Sequence, residues 1–434
     1  GDDEHYQALF DRLGIIRVAT PVELLETAKF VTHTGVPAGR RLKGFTCSGG
    51  DNEMIADLSA PYGLELPQPT EIQRAAMQEH MQLYTSISNP LDFNTTNWGN
   101  YDVLLKLFTE ALSENADLGL LVIESSQAHE ENLGTREALE ALRDAGKATG
   151  VPVAQTNHFS ENSSAADREA LHATGLTMMQ GMREGMGAIG KTCTFGERQQ
   201  TVMARDSRDD LAIPAVSPLP DGVHALDEWA GKQALKAHGL PVPDGRAVAV
   251  GDAALAADEI GFPVTLKVLS DTILHKTDVS GVALNLADAA SVEAAATDMV
   301  SRLGIDRVLV EPMAPKPVAE LIIGVTRSEQ FGQVLVVGAG GVLVELYKDA
   351  ECLLLPVHED DVRAAIGRLK IARLLGGFRG APRGDLDALV AAVIAVARYA
   401  TDHRDTLAEL EINPLFVLPE GEGVVAVDAL IREA

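Results

Sequence analysis

The sequence predicts an α/β chain in two bodies, a parallel-sheet domain followed by an α+β domain, and three observations predict it. Apolar strands alternate with amphipathic helices through the first half. A polar, proline-containing stretch with neither period interrupts the middle, and beyond it long strands lie close together in sequence, as antiparallel pairs do. At 434 residues the chain is long enough for two or three domains, each with its own core.

Taken in order, residues 1–14 (GDDEHYQALFDRLG) read as a helix with Tyr6, Leu9, Phe10 and Leu13 on one face. A chain that opens inside an element, without Met, reads as cut at its front, so upstream material is expected. RLKGFTCSGG (41–50) reads as a strand ending in a glycine-rich turn, with Asp51 or Asn52 capping a helix that carries Met54, Ile55 and Leu58. LGLLVIES (118–125), a helix over 134–147 and VPVAQTN (151–157) continue the alternation that a parallel sheet requires. The expectation is therefore a flavodoxin-like or Rossmann-like layered domain. Residues 196–222 form the best linker, with a boundary near residue 210. Beyond it come a helix over 225–238, the turn GLPVPDG, a helix over 252–260 and the strand FPVTLKVL (262–269). RVLVEPM (307–313) and VAELIIGVTR (318–327) are expected to pair antiparallel, followed by VLVVGAGGVLVELYKD.

Charge narrows the function classes. Lys plus Arg total 36 against 63 Asp plus Glu, a net charge of −27 that repels nucleic-acid phosphates and anionic lipid, and no local basic patch offsets it. No apolar run reaches the ~18–20 residues that would cross a bilayer. Cys47, Cys193 and Cys352 are far apart and odd in number, which points to a reducing compartment, the cytoplasm, and to no structural zinc. In so acidic a chain a nucleotide must be held by a few placed cations and a metal, so Mg²⁺ is expected.

Several residues could supply those cations and ligands. Lys267 sits in an apolar strand with Val264, Leu266, Val268 and Leu269, where its ammonium must be solvated, ion-paired or bound to an anion such as phosphate. ILHKTDVSGV (273–282) places His275, Lys276 and Asp278 in a loop closed by Gly281. There an imidazole can accept a phosphoryl group, Lys276 can neutralise it, and Asp278 can orient the second ring nitrogen. ELEINP (409–414) puts Glu409, Glu411 and Asn413 on one strand face, an oxygen set suited to a hard cation. Asp428, at the end of the apolar run VVAVDAL, could join them through a hairpin. GAGG (338–341) precedes a strand rather than a helix and so is not a dinucleotide fingerprint, but Gly340 and Gly341 allow backbone N–H groups to approach an anion. His33 in THTGVPAG reads as an ordinary connector residue.

Together LKV at Lys267, ILHKTDVSGV, VEPM, AELIIGV, VGAGG and ELEINPL with VVAVDAL resemble the ATP-grasp half of ADP-forming acetyl-CoA synthetases, relatives of succinyl-CoA synthetase. FTCSGGDNEMIADL and SNPLDFN are similar to the family's second flavodoxin-like domain, and GDDEHYQALFDRLGIIRV to the segment after its first phosphohistidine loop. The resemblance implies a division into 1–40 (remnant of a preceding CoA-ligase domain and connector), 41–209 (flavodoxin-like) and 210–434 (ATP-grasp). It implies ATP or ADP with phosphates on Lys267, adenine at a hinge of Glu311 and Met313, ribose near Glu320, and Mg²⁺ on Asn413 and Asp428. It also implies His275 as a second phosphate carrier. The implied activity is ligation of a small carboxylic acid to CoA through acyl phosphate and phosphohistidine. The CoA-binding domain and the first phosphohistidine loop are absent from this sequence, so a partner domain or subunit and an oligomer are expected.

Three positions depart from the family pattern: Ser280 where a glycine is usual, Ser328 where an Asp is common, and Leu353 where an Arg is common. Ser280 and Leu353 favour a competing reading, a non-catalytic ATP-binding regulatory module. A third, an ATP-grasp carboxylate–amine ligase, conflicts with the HKTD loop and the flavodoxin-like domain ahead of it.

Overall fold

The computed structural model describes residues 3–82, 85–124, 135–163, 165–205, 211–273, 276, 278–341 and 349–434. The chain divides into two compact units, Leu13–Asp206 on one side and Gly1–Arg12 with Ser207–Ala434 on the other. The front segment 1–40 is shared between them. Helix α1 (Asp3–Leu13) belongs mostly to the second unit, where Tyr6 meets Phe331 edge-on at 5.0 Å. At its end the buried Arg12 donates to the carbonyls of Leu354, Pro356, Leu211 and Ala212. Helix α2 (Pro21–His33) packs in the first unit instead.

The first unit is a five-stranded, all-parallel sheet. Its strands are β1 (Leu42–Thr46), β2 (Leu91–Asp92), β3 (Leu118–Val122), β4 (Val153–Asn157) and β5 (Thr177–Gln180), in the order β2-β1-β3-β4-β5. That is one of the two common doubly wound orders. Helices α3 (Gly49–Ser59), α4 (Glu71–Gln78), α5 (Tyr101–Leu112), α6 (Thr135–Thr149), α7 (Ala165–Thr174) and α8 (Met182–Met203) connect and cover it. The fully buried β3 (LGLLV) reads as a near-continuous apolar run because both faces are covered, whereas the equally buried β1 (LKGFT) carries Lys43, whose Nζ donates to Pro67 O at 3.1 Å.

Two local expectations are corrected here. The cap of α3 is Ser48, whose side chain accepts from the Asp51 N–H, so the two glycines form the first helical turn and Asp51 lies inside the helix. Residues 196–203, expected in the linker, are the last turns of α8. Their apolar stripe is hidden because the contact residues are small: Thr192, Cys193 and Gly196 are buried. A Cβ on Gly196 would lie 2.7 Å from Val36.

The second unit holds two antiparallel sheets. One has the order β7-β10-β8-β9, from β7 (Arg246–Ala249), β8 (Val264–Val268), β9 (Val282–Leu286) and β10 (Arg307–Pro312). Helices α10 (Ala253–Ile260) and α11 (Ala289–Leu303) cover one face of it, burying Val264, Leu266, Val268, Val308 and Val310. The other sheet runs β13-β12-β11-β14-β16-β6, with β15 paired to β14. Its strands are β6 (His224–Ala225), β11 (Ala319–Ser328), β12 (Gly332–Ala339), β13 (Ala350–Leu354), β14 (Leu407–Val417), β15 (Val424–Ala426) and β16 (Leu430–Glu433). Helices α9 (Glu228–Ala237), α12 (Glu359–Arg368) and the long α14 (Leu386–Asp402) pack on it, with the short α13 (Ala372–Leu375) between the last two.

The expected pairing of 307–313 with 318–327 does not form: β10 pairs with β7 and β8, whereas β11 pairs with β12 and β14. The connection APKP between them has two prolines, which remove ladder donors and favour an extended crossing over a tight hairpin. Proximity in sequence here carries the chain from one sheet to the next.

Candidate nucleotide site

Strand alternation builds the site. With Val264, Leu266 and Val268 turned toward the helices, Thr265 and Lys267 point to the opposite face of β8. On the neighbouring β10, Leu309 registers with Lys267 and Glu311 with Thr265, so Lys267 and Glu311 are diagonal neighbours on one face. Helix α9 brings two more charges. Its buried stripe is Glu228, Gly231, Lys232 and Leu235, the i, i+3, i+4, i+7 positions normally given to apolar residues.

These side chains close into a largely buried ion network. Lys267 Nζ lies 2.7 Å from Glu228, 3.0 Å from Glu311 and 2.6 Å from the Val427 carbonyl. Lys232 Nζ lies 2.8 Å from Glu228 and 2.6 Å from Glu311, and also donates to Val427 O at 2.7 Å. Lys276 Nζ lies 3.0 Å from Glu228 and 3.2 Å from Asp428. Three lysines thus face three carboxylates, which is how such charges survive burial. The alternative that Lys267 points to solvent is overturned.

Burial by itself would raise the Glu228 pKa, but Lys267, Lys232 and Lys276 outweigh it and hold the carboxyl below its usual range. Burial likewise opposes the charge on Lys267 and Lys276, yet Glu228 together with the other carboxylates raises both above the ordinary lysine value. Lys232 goes the other way: burial and the charge of Lys267 push it down against Glu228 and Glu311. Because the Glu228 pKa is depressed, its contribution to stability is complete above the unfolded glutamate range and is lost as pH falls through the depressed value.

The loop after β8 brings Lys276 into this network and leaves Asp278 exposed. His275 lies outside the described residues, so its geometry toward Lys276 and Asp278 is not part of the site drawn here. The loop closes where Gly281 N–H donates to Lys276 O at 2.7 Å and Val268 N–H to Gly281 O at 2.8 Å. Ser280 adopts φ +52°, a left-handed conformation that explains why glycine suits this position. Met313 is tied down at the end of β10: its N–H donates to Pro263 O, and its sulfur accepts from the Thr265 hydroxyl at 2.9 Å.

A second group converges where β11, β12 and β14 meet. Gly340 N–H donates to Glu320 O at 2.8 Å, and Gly341 N–H to Asn413 Oδ1 at 3.2 Å. Asn413 Nδ2 in turn donates to Glu411 at 3.4 Å. Leu410 and Ile412 are buried on the other face of β14, the alternation expected for ELEINP. Val427 N–H donates to Pro414 O, and Leu430 registers with Glu411, so the turn into β16 carries Asp428 alongside this strand. Among the described residues no cluster of three or more His, Cys, Asp or Glu side chains is arranged to hold a metal. Glu411, Asn413 and Asp428 nevertheless offer oxygen donors of the kind a hard cation takes, and Mg²⁺ needs only one or two carboxylates when phosphates and water complete its shell. Glu320 and Gly340 also border a cavity of about 410 Å³, lined further by Asp349, Lys370, Ile371 and Leu374.

Gly340 is required by close approach: a Cβ there would sit 2.5 Å from the backbone of Leu321. Gly340→Ala is expected to destabilise this unit by about 1–3 kcal/mol, because the obstacle is strand backbone that cannot rotate away. Thermal unfolding beside Gly367→Ala, which adds a methyl into open space on α12, is the check. Equal melting temperatures would remove the steric argument.

Glu228 and Lys232 are functional candidates that sequence reasoning missed. Their signal was available as two charges on the core stripe of a short helix, but an i, i+4 Glu–Lys pair ordinarily reads as a surface contact. His33 ends α2 with its ring 4.1 Å from that of His172 and takes no part in this site.

The description ATP-grasp domain fits residues 218–432. The chain is 38% identical over 221 residues to the beta subunit of ADP-forming acetate–CoA ligase II of Pyrococcus furiosus, a match covering 49% of this chain and 93% of that one. It is 26% identical over 443 residues to trans-feruloyl-CoA synthase FCS1 of an unknown prokaryote, covering 99% of this chain and 61% of that protein. A solved structure titled as Ca. Korarchaeum cryptofilum dinucleotide-forming acetyl-coenzyme A synthetase 1 with coenzyme A and Mg-AMPPCP matches at 35% identity and a TM-score of 0.44, over 48% of this chain and 93% of that one. The chain spans 61% and 62% of the length of two relatives that it matches from end to end. No helix among the described residues is long and apolar enough to cross a membrane. With an ATP-grasp domain in its second half and the Pyrococcus subunit matched over nearly its whole length, the chain belongs to the family of ADP-forming acetate–CoA ligases, which are acid–thiol ligases.

Proposed function

We propose that this chain supplies the nucleotide-binding, phosphoryl-transfer part of an ADP-forming acyl-CoA synthetase. The observation that carries the reading is the convergence of Lys267 and Lys276 with Asp428 in one cluster inside the ATP-grasp domain. In this reading Lys267 and Lys276 hold the nucleotide phosphates, Glu311 and Met313 form the adenine hinge, and Glu320 with Gly340 and Gly341 lies at the ribose and phosphate side. Glu411, Asn413 and Asp428 would hold Mg²⁺, which when bound screens the phosphate charge.

His275 is the second phosphate carrier, with Lys276 as its charge partner and Asp278 orienting the ring. A first His on the partner domain or subunit takes the phosphoryl group from the acyl phosphate and releases the carboxylate; the His275 ring nitrogen then attacks that phosphorus, its N–P bond forming as the bond to the first imidazole breaks. Attack of an ADP β-phosphate oxygen on the phosphohistidine then yields ATP and frees the imidazole. The acyl phosphate itself arises from acyl-CoA and phosphate on a CoA-binding domain or partner subunit. Residues 41–209, as a flavodoxin-like domain of succinyl-CoA-synthetase type, would face that partner in a cytoplasmic oligomer. The name of the Pyrococcus relative, a beta subunit, supports a division of the family between chains.

The test is incubation with γ-labelled ATP and Mg²⁺, comparing the parent with His275→Ala. An acid-labile, base-stable label present in the parent and lost in the variant is the expected result. An undiminished label on the variant would remove His275 from the reaction.

A further inference from the structure

The nucleotide reading assigns the phosphates to Lys267 and Lys276 but leaves Glu228 and Lys232 without a role, although both side chains are fully buried at 0% exposure. We infer that Glu228 is a positioning residue for phosphate recognition: one carboxylate that holds the ammonium groups of Lys267 and Lys276 toward a common point, with Lys232 as the cation that anchors it. The inference rests on the nucleotide-binding reading of this site.

Connectivity is the first argument. Lys267 is carried by β8 and Lys276 by the loop after it, while Glu228 arrives from a separate helix. Its Oε1 takes Lys267 at 2.7 Å and Lys232 at 2.8 Å, and its Oε2 takes Lys276 at 3.0 Å. Among the described residues no other side chain is ion-paired with both phosphate-directed lysines: Glu311 reaches Lys267 and Lys232, and Asp428 reaches Lys276. Without Glu228 the two like charges lose their shared counter-ion and repel.

The mounting of Glu228 is the second. It stands in the first turn of α9, whose Asp227 cap accepts the Ala230 N–H at 2.8 Å, so a carboxylate sits at the positive end of a closed helix start. One turn later Lys232 binds Glu228 and both oxygens of Glu311, tying α9 to β10. The carboxylate therefore cannot follow a lysine that moves.

The third argument is an imperfect bond. Glu228 Oε2 is buried and close to Lys276, yet it receives no aligned hydrogen bond. Lys267, in contrast, donates aligned hydrogen bonds to Glu228 Oε1 and Val427 O and is ion-paired with Glu311 at 3.0 Å. Toward Glu228, Lys276 is held by charge without being locked by direction, its directed bond going to Asp428 Oδ1 at 3.2 Å, so it can tilt toward an arriving phosphate while Glu228 keeps its place.

Calorimetric titration of the full chain with MgATP and, separately, with adenosine tests this. Glu228→Gln keeps the shape and removes the charge; it is expected to weaken ATP binding at least about tenfold while adenosine binding stays within about twofold. Glu228→Gln/Lys232→Met restores balance, with Lys267 and Lys276 against Glu311 and Asp428. It is expected to recover the melting temperature of the parent and keep the loss of ATP affinity. Recovery of ATP affinity in the double variant would overturn the inference, since Glu228 would then act through charge balance alone. So would an equal loss of ATP and adenosine binding in the folded double variant, the mark of a structural role. A parent chain that binds no ATP would instead remove the nucleotide reading, before any variant is compared.

Discussion

Lys232→Met is expected to lower the stability of the ATP-grasp unit by about 3–5 kcal/mol, the scale on which removing one partner of a buried ion network acts. The side chain is fully buried and makes contacts of 2.6–2.9 Å to Glu228, both oxygens of Glu311 and the Val427 carbonyl. Methionine fills the volume, so the loss comes from charge: Glu228, Glu311 and Asp428 are left against Lys267 and Lys276 in a medium that cannot solvate the excess. The chain has two tryptophans, and Trp229 lies on α9 beside the network. In a Trp98→Phe background, urea unfolding followed by Trp229 fluorescence reports on this unit, and the midpoint should fall at an unchanged slope. A loss below about 1 kcal/mol would mean that the network is solvated and loose.

Lys267→Met is expected to weaken MgATP binding between about tenfold and a hundredfold, as removal of a charge-assisted bond to a buried phosphate does. Adenosine binding is the internal control: of the residues assigned to adenine and ribose, Glu311 touches Lys267 at 3.0 Å but stays held by Lys232 at 2.6 Å, and Met313 and Glu320 are not paired with Lys267. Calorimetry on the folded variant, checked by its far-UV spectrum, reads both ligands. ATP affinity equal to the parent would sink the assignment of Lys267 to the phosphates and turn attention to Lys276. The arrangement around Lys267 makes the prediction specific. Its ammonium is hydrogen-bonded to Glu228 and Val427 O and ion-paired with Glu311, so a phosphate competes with these partners for it.

Much of the fold was legible from local pattern. Alternating apolar strands and helices announce a parallel sheet, and LGLLV and VAQTN fall within β3 and β4 because each is short, apolar and bounded by turn residues. The alternation of ELEINP put Glu411 and Asn413 on one face. The misses share a cause. The end of α8 looked like a linker because its packing face is made of small residues, and β10 and β11 looked like a hairpin because sequence distance does not say which sheet a strand joins.

The candidate site divides along the same line. Lys267, Lys276, Glu311 and Asp428 stand out in the sequence as charges in or beside apolar strands, where burial demands a partner. The identity of that partner is non-local: Glu228 and Lys232 come from α9, and their geometry exists only once the helix is docked against β10 and the turn before β16. By itself the sequence determined the class of fold, the order of its two bodies and most of the charged residues that could meet a nucleotide, because period, turn chemistry and misplaced charge are local properties. Only the tertiary structure decided which charges neutralise which, since an ion pair depends on distances of a few ångströms between residues that no local pattern relates.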